Sequence, residues 1–166
     1  MRPKQMDSLD SGGAILLFLY GTLRPGESQH GLVAPFLESS IPARAWGRLH
    51  HLPAGYPALE VPEETVLAHG SVDPEADAAM ARAAGNVHVQ QPPNDGEWVQ
   101  GDLVTLREPA QCLPRLDDYE DFRPGQACLY RRILIAIDTP AGARAAWAYA
   151  SPPADRLRTL GNGDAK

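Results

Sequence analysis

An apolar run that leads directly into a glycine-bearing loop constrains the fold of this chain more than any other feature. Residues 14–19 read Ala-Ile-Leu-Leu-Phe-Leu, and residues 20–26 read Tyr-Gly-Thr-Leu-Arg-Pro-Gly. A short apolar run bounded by Gly and Pro is typical of a buried strand. Gly21 and Gly26 allow a tight turn, and the clustered N–H groups of such a loop suit an anion or an oxyanion. Most junctions of this kind only turn the chain, so local chemistry leaves both interpretations open.

Length and charge limit the class of protein. A chain of 166 residues with 43% hydrophobic content predicts one domain with a substantial core. The formal net charge of -6 argues against a nucleic-acid partner, because proteins that bind the phosphate backbone cluster Lys and Arg. The run 14–19 is too short to span a membrane, and acidic Asp7 and Asp10 before it argue against a signal peptide. We therefore predict a cytoplasmic protein without a membrane partner.

Cysteine and histidine spacing gives no indication of a metal site. Cys112 and Cys128 are too few for a disulfide framework and lack zinc-ligand spacing, so we predict buried or partly buried thiols in a reducing compartment. His50 and His51 are adjacent in a predicted strand and would point to opposite faces. We expect no metal and no other cofactor.

Strand patterns dominate the middle of the chain. We predict strands over 14–19, 43–52, 98–106, 130–138 and 143–150, the last two joined by a turn at 139–142. Helices are predicted over 30–38 with an interruption at Pro35, over 76–84 and over 109–120. Many strands, few short helices, 15 Gly and 16 Pro predict an α+β fold, a compact mixed β-barrel with a few short helices.

One domain is predicted over 14–150, between a flexible N-terminal extension, 1–13, and a C-terminal extension, 151–166. The stretch 72–97 differs from the rest, because an Ala-rich helical segment is followed by polar residues and prolines. We interpret it as an excursion from the barrel, either a lid over a site or a passive insertion. A passive insertion is the commoner case for surface segments.

Glu120 is the candidate proton carrier. It ends the helix predicted over 109–120, beside the aromatic Tyr119. Apolar surroundings that bury a carboxylate raise its pKa, which suits general acid–base catalysis. The alternative is a structural carboxylate paired with Arg131 or Arg132.

Short motifs follow one another in a fixed order over most of 15–150. They are Tyr20-Gly21-Thr22-Leu23-Arg24, Gly47-Arg48-Leu49, Gly55-Tyr56-Pro57-Ala58-Leu59, Val99-Gln100-Gly101-Asp102-Leu103, Leu116-Asp117-Asp118-Tyr119-Glu120, Tyr130-Arg131-Arg132 and Ala146-Trp147-Ala148-Tyr149. This series resembles the γ-glutamylcyclotransferase-like family, in its γ-glutamylamine cyclotransferase or AIG2-like branch. The resemblance implies a compact barrel enzyme, metal-independent, that cyclises a γ-glutamyl group to 5-oxoproline and releases an amine.

The resemblance also implies roles for individual residues. Glu120 matches the family's catalytic glutamate, and the substrate-binding positions match Tyr20, Gly21, Thr22, Leu23, Tyr130 and Tyr149. By residue chemistry alone, each of these tyrosines, like Tyr56, is more often a core or barrel-lining aromatic than a direct ligand. Two departures stand out: Asp121 replaces the family's Gly and adds a negative charge beside Glu120, and the stretch 72–97 is longer than the family's usual connection.

The implied reaction needs no protein nucleophile, because the α-amino nitrogen of the substrate attacks its own γ-carbonyl. Glu120 would move the protons and the N–H groups of 21–23 would bind the α-carboxylate or the oxyanion. Arg24 can meet a substrate carboxylate or face solvent, and Arg132 is expected to pair with a structural carboxylate. The alternatives are a non-catalytic small-molecule-binding module on the same barrel, or an interaction domain acting through 72–97. The amine portion of the substrate and the oligomeric state stay open.

Overall fold

Seven strands and two α-helices make up the regular structure of the described residues, which are 13–51, 57–92, 96–124 and 130–151 of this computed structural model. The strands are β1 (Ile15–Leu19), β2 (Leu37–His51), β3 (Pro57–Glu60), β4 (Ala68–His69), β5 (Glu97–Leu106), β6 (Arg131–Thr139) and β7 (Gly142–Ala150). The helices are α1 (Pro74–Ala83) and α2 (Pro109–Glu120), and short 3-10 turns occupy His30–Leu32, Ala34–Phe36 and Glu63–Thr65. Neither helix in this part of the chain is long and apolar enough to cross a bilayer.

The strands form one mixed sheet that closes on itself. Their order is β3-β2-β5-β1-β7-β6-β4, and a further pairing joins β2 to β6 at Arg44 and Asp138. An ion pair of 2.6 Å between the same two side chains accompanies this closure. The five strands β2, β5, β1, β7 and β6 therefore form a ring, and the predicted α+β class is confirmed in this form. Residues 1–12 and 152–166 lie outside the described residues, so the predicted domain boundaries stay predictions.

Two apolar clusters lie on opposite faces of the ring strands. The first holds alternate residues of β1, such as Ile15 and Leu17, together with residues of both helices, such as Ala78 and Leu116. The second holds Phe18 and small or branched strand residues such as Ala146 and Ile135, and no helical residue. Strands buried on both faces read as continuous apolar runs, which is why 14–19 carries no polar alternation.

Helix α1 begins and ends close to the predicted positions. The Asp73 side chain caps its first turn by accepting the N–H groups of Glu75 and Ala76. Although α1 lies in the stretch predicted to be an excursion or lid, Ala78 and Ala81 belong to the first core cluster. Residues 93–95 of the same stretch lie outside the described residues.

Two segments differ from their predicted form. Residues 30–36 form two 3-10 turns rather than one short helix, and Pro35 is the second residue of the second turn, Ala34–Phe36. Strand β2 starts at Leu37, six residues before the predicted position. Residues 38–42 are exposed, so they show no apolar alternation that could have indicated a strand. The β6–β7 hairpin and helix α2 agree with prediction.

Candidate active site

A pocket of about 220 Å³ opens where β1 and α2 both end. Its lining includes every residue predicted for the site, and the complete set is Phe18, Leu19, Tyr20, Gly21, Thr22, Leu23, Pro57, Tyr119, Glu120, Asp121, Tyr130 and Tyr149. The glycine-bearing loop and the predicted proton carrier, separated by about a hundred positions in sequence, thus face one cavity.

Glu120 is a half-buried carboxylate at the last residue of α2. Burial raises its pKa to about 7, because the charged form loses hydration there. Arg131 pairs with Glu63, and Arg132 pairs with Asp77 and Asp117. Among the described residues, the Glu120 carboxylate has no ion-pair or hydrogen-bond partner, so the alternative of a structural pair with either arginine was wrong.

Asp121 ends α2 in the left-handed conformation, with φ 56° and ψ 44°. Its N–H donates to the Asp118 carbonyl at 3.2 Å, and the next N–H, of Phe122, donates to the Asp117 carbonyl at 2.9 Å. These two bonds form a Schellman motif, in which Gly usually takes the left-handed position. The turn expected of the family's Gly is therefore made here with Asp. The Asp121 carboxylate is exposed, and burial is the cause of the raised pKa of Glu120.

Residues 21–23 of the loop after β1 line the pocket, and their backbone N–H groups have no acceptor among the described residues. The Arg24 N–H donates to the Gly21 carbonyl at 3.1 Å, and the Gln29 N–H donates to the Thr22 carbonyl at 2.9 Å. These two hydrogen bonds shape the loop. Within the described part of the chain, no protein group accepts the N–H of Gly21, Thr22 or Leu23. Three consecutive donors without an acceptor suit an anion or a developing oxyanion.

A hydrogen bond of 2.8 Å joins the Thr22 hydroxyl to the Tyr119 hydroxyl. Thr22 lies in the loop and Tyr119 precedes Glu120, so this bond ties the loop to the end of α2. Tyr119 is 38% exposed and lies at the solvent side of the lining.

The three predicted site tyrosines use their hydroxyls within the protein. Tyr20 accepts the Leu59 N–H at 3.0 Å and donates to the Tyr149 carbonyl at 2.5 Å. Tyr130 donates to the Pro57 carbonyl at 2.8 Å, and Tyr149 donates to the Asp117 carboxylate at 2.6 Å. Burial keeps the pKa of Tyr20 and of Tyr149 well above the ordinary value, so both stay protonated donors. The pocket therefore meets mainly their rings.

A buried charged network stands behind the Tyr149 wall. The Arg132 guanidinium donates to Asp117, to Asp77 at 2.6 Å and to the Ser71 carbonyl at 2.9 Å. The Ser71 hydroxyl in turn donates to Asp77 at 2.8 Å. The expected structural pairing of Arg132 with a carboxylate is confirmed, with two carboxylates instead of one.

Other candidate groups lie elsewhere or outside the described residues. Arg24 pairs with Asp102 at 2.7 Å and does not line the pocket. Cys112 is buried, which raises the pKa of its thiol to about 12, whereas Cys128 and Tyr56 fall outside the described residues. The described ranges contain no group of three or more His, Cys, Asp or Glu side chains placed to hold a metal ion.

Sequence reasoning missed several contributors to the site and its support, among them Phe18, Pro57, Tyr119 and Asp77. Phe18 and Pro57 look like ordinary core and turn residues in sequence. Asp77 did carry a signal in the sequence, because it lies four positions before Ala81 in an Ala-rich helix and so shares a face with a small apolar residue. An acidic residue on the buried side of a helix requires a partner, which Arg132 supplies.

The ring of strands and the two helices define a small α+β protein, and its pocket holds a carboxylate of raised pKa. A family model described as "Gamma-glutamyl cyclotransferase, AIG2-like" matches residues 17–84 and 76–164. The chain therefore belongs to this family.

Two solved structures resemble the chain. YkqA from Bacillus subtilis matches with a TM-score of 0.52 and 22% identity over 84% of this chain and 36% of that one. An AIG2-like protein from Mus musculus matches with a TM-score of 0.47 and 17% identity over 84% of this chain and 78% of that one. The chain spans about a third of the length of YkqA, and that likeness concerns the fold. No curated protein matches the chain.

Proposed function

We propose that this protein is a γ-glutamylcyclotransferase that converts a γ-glutamyl amine or γ-glutamyl peptide to 5-oxoproline and a free amine. One observation carries the proposal: Glu120, with its pKa raised to about 7, shares a pocket with residues 21–23, whose N–H groups have no acceptor among the described residues. Membership of the cyclotransferase family supports the same class of reaction.

The first step removes a proton from the α-ammonium of the substrate. A carboxylate with a pKa of about 7 is half ionised at neutral pH, so Glu120 can accept this proton and later release it. The freed nitrogen attacks the γ-carbonyl carbon, and a C–N bond closes the five-membered ring. The amide C–N bond then breaks, and the departing amine takes the proton from Glu120. The ring nitrogen still carries one extra proton, which Glu120 removes and passes to the released amine, so the amine leaves as an ammonium ion and Glu120 returns to its carboxylate form.

Ring closure places negative charge on the former γ-carbonyl oxygen. The N–H groups of Gly21, Thr22 and Leu23 are the donors we assign to this oxyanion or to the α-carboxylate. Loss of one donor to an oxyanion typically costs roughly 2.7–4 kcal/mol of transition-state stabilisation. The hydrogen bond between Thr22 and Tyr119 holds this loop beside Glu120.

The aromatic walls hold the substrate in the folded conformer that the reaction requires. Tyr130 and Tyr149 are buried and Tyr20 is partly buried, and all three hydroxyls have protein hydrogen-bond partners. Walls of this rigidity restrict the substrate's torsions, and orientation of this kind contributes up to about 7–11 kcal/mol in well-aligned cases.

The proposal is tested by release of 5-oxoproline from a panel of γ-glutamyl amines and peptides. We expect turnover by the wild type and a loss of about 10²- to 10⁴-fold in kcat for Glu120→Gln, which keeps the shape but cannot accept the proton. Glu75→Gln, at an exposed position of α1, is the matched control. Binding of a γ-glutamyl compound without any 5-oxoproline would instead support a non-catalytic binding module.

A further inference from the structure

The charged side chains that line the pocket are acidic. Its lining contains two carboxylates, Glu120 and Asp121, and no Lys, Arg or His among the described residues. The segments that precede Pro57 and Tyr130 in sequence, 52–56 and 125–129, contain no charged residue. The nearby cations are engaged, because Arg24 pairs with Asp102 and Arg123 pairs with Asp118. A ligand in this pocket therefore meets negative charge with aromatic surroundings.

Asp121 supplies that charge at the solvent side of the pocket. Its side chain is exposed and forms no ion pair or hydrogen bond with any other described residue. It occupies a left-handed position where Gly avoids a steric cost. The chain thus places at the pocket a carboxylate that has no partner among the described residues, at a position where Gly fits the backbone better.

Tyr119 adds an aromatic ring to the same side of the pocket. The side chain is 38% exposed, and the bond of its hydroxyl to Thr22 restrains it. Aromatic rings attract cations, most strongly when the ring is partly desolvated. Tyr119 and Asp121 flank Glu120 in sequence. Together, the restrained ring and the carboxylate form a site that favours a positively charged group.

We infer that Asp121 is a specificity-determining residue, which selects γ-glutamyl compounds whose amine portion carries a positive charge. The inference rests on the proposed function. When the γ-glutamyl group lies between Glu120 and residues 21–23, the amine portion must extend toward solvent, past Asp121 and Tyr119. A cationic amine portion gains Coulomb attraction there, whereas one that ends in a carboxylate is repelled.

The test compares three γ-glutamyl amides of equal chain length, made from 1,4-diaminobutane, butylamine and 4-aminobutanoic acid. Their free ends are cationic, neutral and anionic, so charge is the main difference. We expect kcat/KM for 5-oxoproline release to fall in that order, with about tenfold between the cationic and anionic amides. In salt of about 1 M, where the Debye length is about 3 Å, this range should shrink.

Two variants of Asp121 separate charge from backbone effects. Asp121→Asn keeps a residue that tolerates the left-handed conformation, and Asp121→Gly relieves its steric cost. Both should lower the ratio of kcat/KM for the cationic amide to that for the neutral amide by about fivefold, the size of an exposed ion pair. A ratio that stays within twofold of wild type in both variants overturns the inference, and the proposed function is then unaffected.

The proposed function fails separately. If the wild type releases no 5-oxoproline from any γ-glutamyl compound, the cyclotransferase assignment is overturned. Isothermal titration calorimetry of the three amides with the same protein then tests the specificity. Tighter binding of the cationic amide that is lost in Asp121→Asn supports the role of Asp121. Equal affinities for the three amides contradict it.

Discussion

The Arg132 guanidinium and the Asp77 carboxylate form an ion pair of 2.6 Å in which both side chains are buried. Arg132 also pairs with Asp117, which accepts the hydroxyl of Tyr149 on the pocket wall. Helix α1 is thereby connected through β6 to α2 and to the site. The stretch predicted to be an excursion or lid contains a helix whose Asp77 helps to hold the pocket wall in place.

Asp77→Ala is expected to destabilise the protein by about 3–5 kcal/mol, because it leaves a charged guanidinium buried with one carboxylate fewer. Urea unfolding followed by circular dichroism measures the free energy. Glu75→Ala, two residues earlier and exposed, is the control and should change stability by less than about 0.5 kcal/mol. A loss below about 1 kcal/mol for Asp77→Ala would show that water reaches Arg132.

Gly101→Ala tests the close packing of β5 against β1. A Cβ atom at Gly101 would lie 2.3 Å from the Leu19 carbonyl oxygen and 2.7 Å from the Phe18 ring. To relieve this clash, the end of β1 must move, and β1 leads into the loop 20–26. We expect destabilisation of about 1–3 kcal/mol or more, together with lower 5-oxoproline release. At Gly31 an added Cβ atom would have no atom within 4 Å apart from its chain neighbours, so Gly31→Ala should change neither the stability nor the release of 5-oxoproline.

Local patterns in the sequence predicted those helices and strands whose first and last residues are marked by capping or turn residues. Helix α2 runs over the predicted residues because Pro109 begins it and Asp121 ends it. The β6–β7 hairpin followed from alternation and a turn containing Gly142. The start of β2 was missed because its exposed residues are held by pairing with β5 rather than by apolar periodicity.

The site was predicted only in part, for a similar reason. Glu120 and the loop 20–23 belong to short motifs, so a resemblance could indicate them. The bond between Thr22 and Tyr119 joins residues 97 positions apart, and that between Arg132 and Asp77 spans 55 positions. Periodicity carries no information about such contacts, because they depend on how the ring of strands closes.

Tyr149→Phe separates the ring of this residue from its hydroxyl. The hydroxyl donates to the Asp117 carboxylate, so its loss should destabilise the protein by about 1.5–3 kcal/mol. Since the ring stays in the pocket, we expect kcat to fall by less than about tenfold, with the larger change in stability. Steady-state kinetics and urea unfolding measure the two effects. A loss of kcat as large as that of Glu120→Gln would mean that the hydroxyl acts on the substrate.

Activity should rise with pH through the pKa of Glu120. The carboxylate form accepts the proton of the substrate, and its pKa is about 7, so kcat/KM should increase between about pH 5.5 and 8 with its midpoint near 7. A profile measured with a γ-glutamyl amide of constant charge over this range shows the midpoint. A midpoint near the ordinary Glu value of about 4.3 would contradict the burial of this carboxylate.

The same pKa predicts an effect on stability with a definite sign. Between about pH 4.3 and 7 the native state binds a proton at Glu120 that the unfolded chain has released, so the contribution of this group to stability falls as pH rises and levels off above about 7. Glu120→Gln cannot titrate. Relative to wild type, the variant should therefore gain stability with rising pH, by on the order of 1–3 kcal/mol at pH 8 after allowance for partial solvation. Urea unfolding of both proteins at pH 5 and pH 8 measures this difference. If the stability of the variant relative to wild type does not increase from pH 5 to pH 8, Glu120 is ionised in the native state without cost.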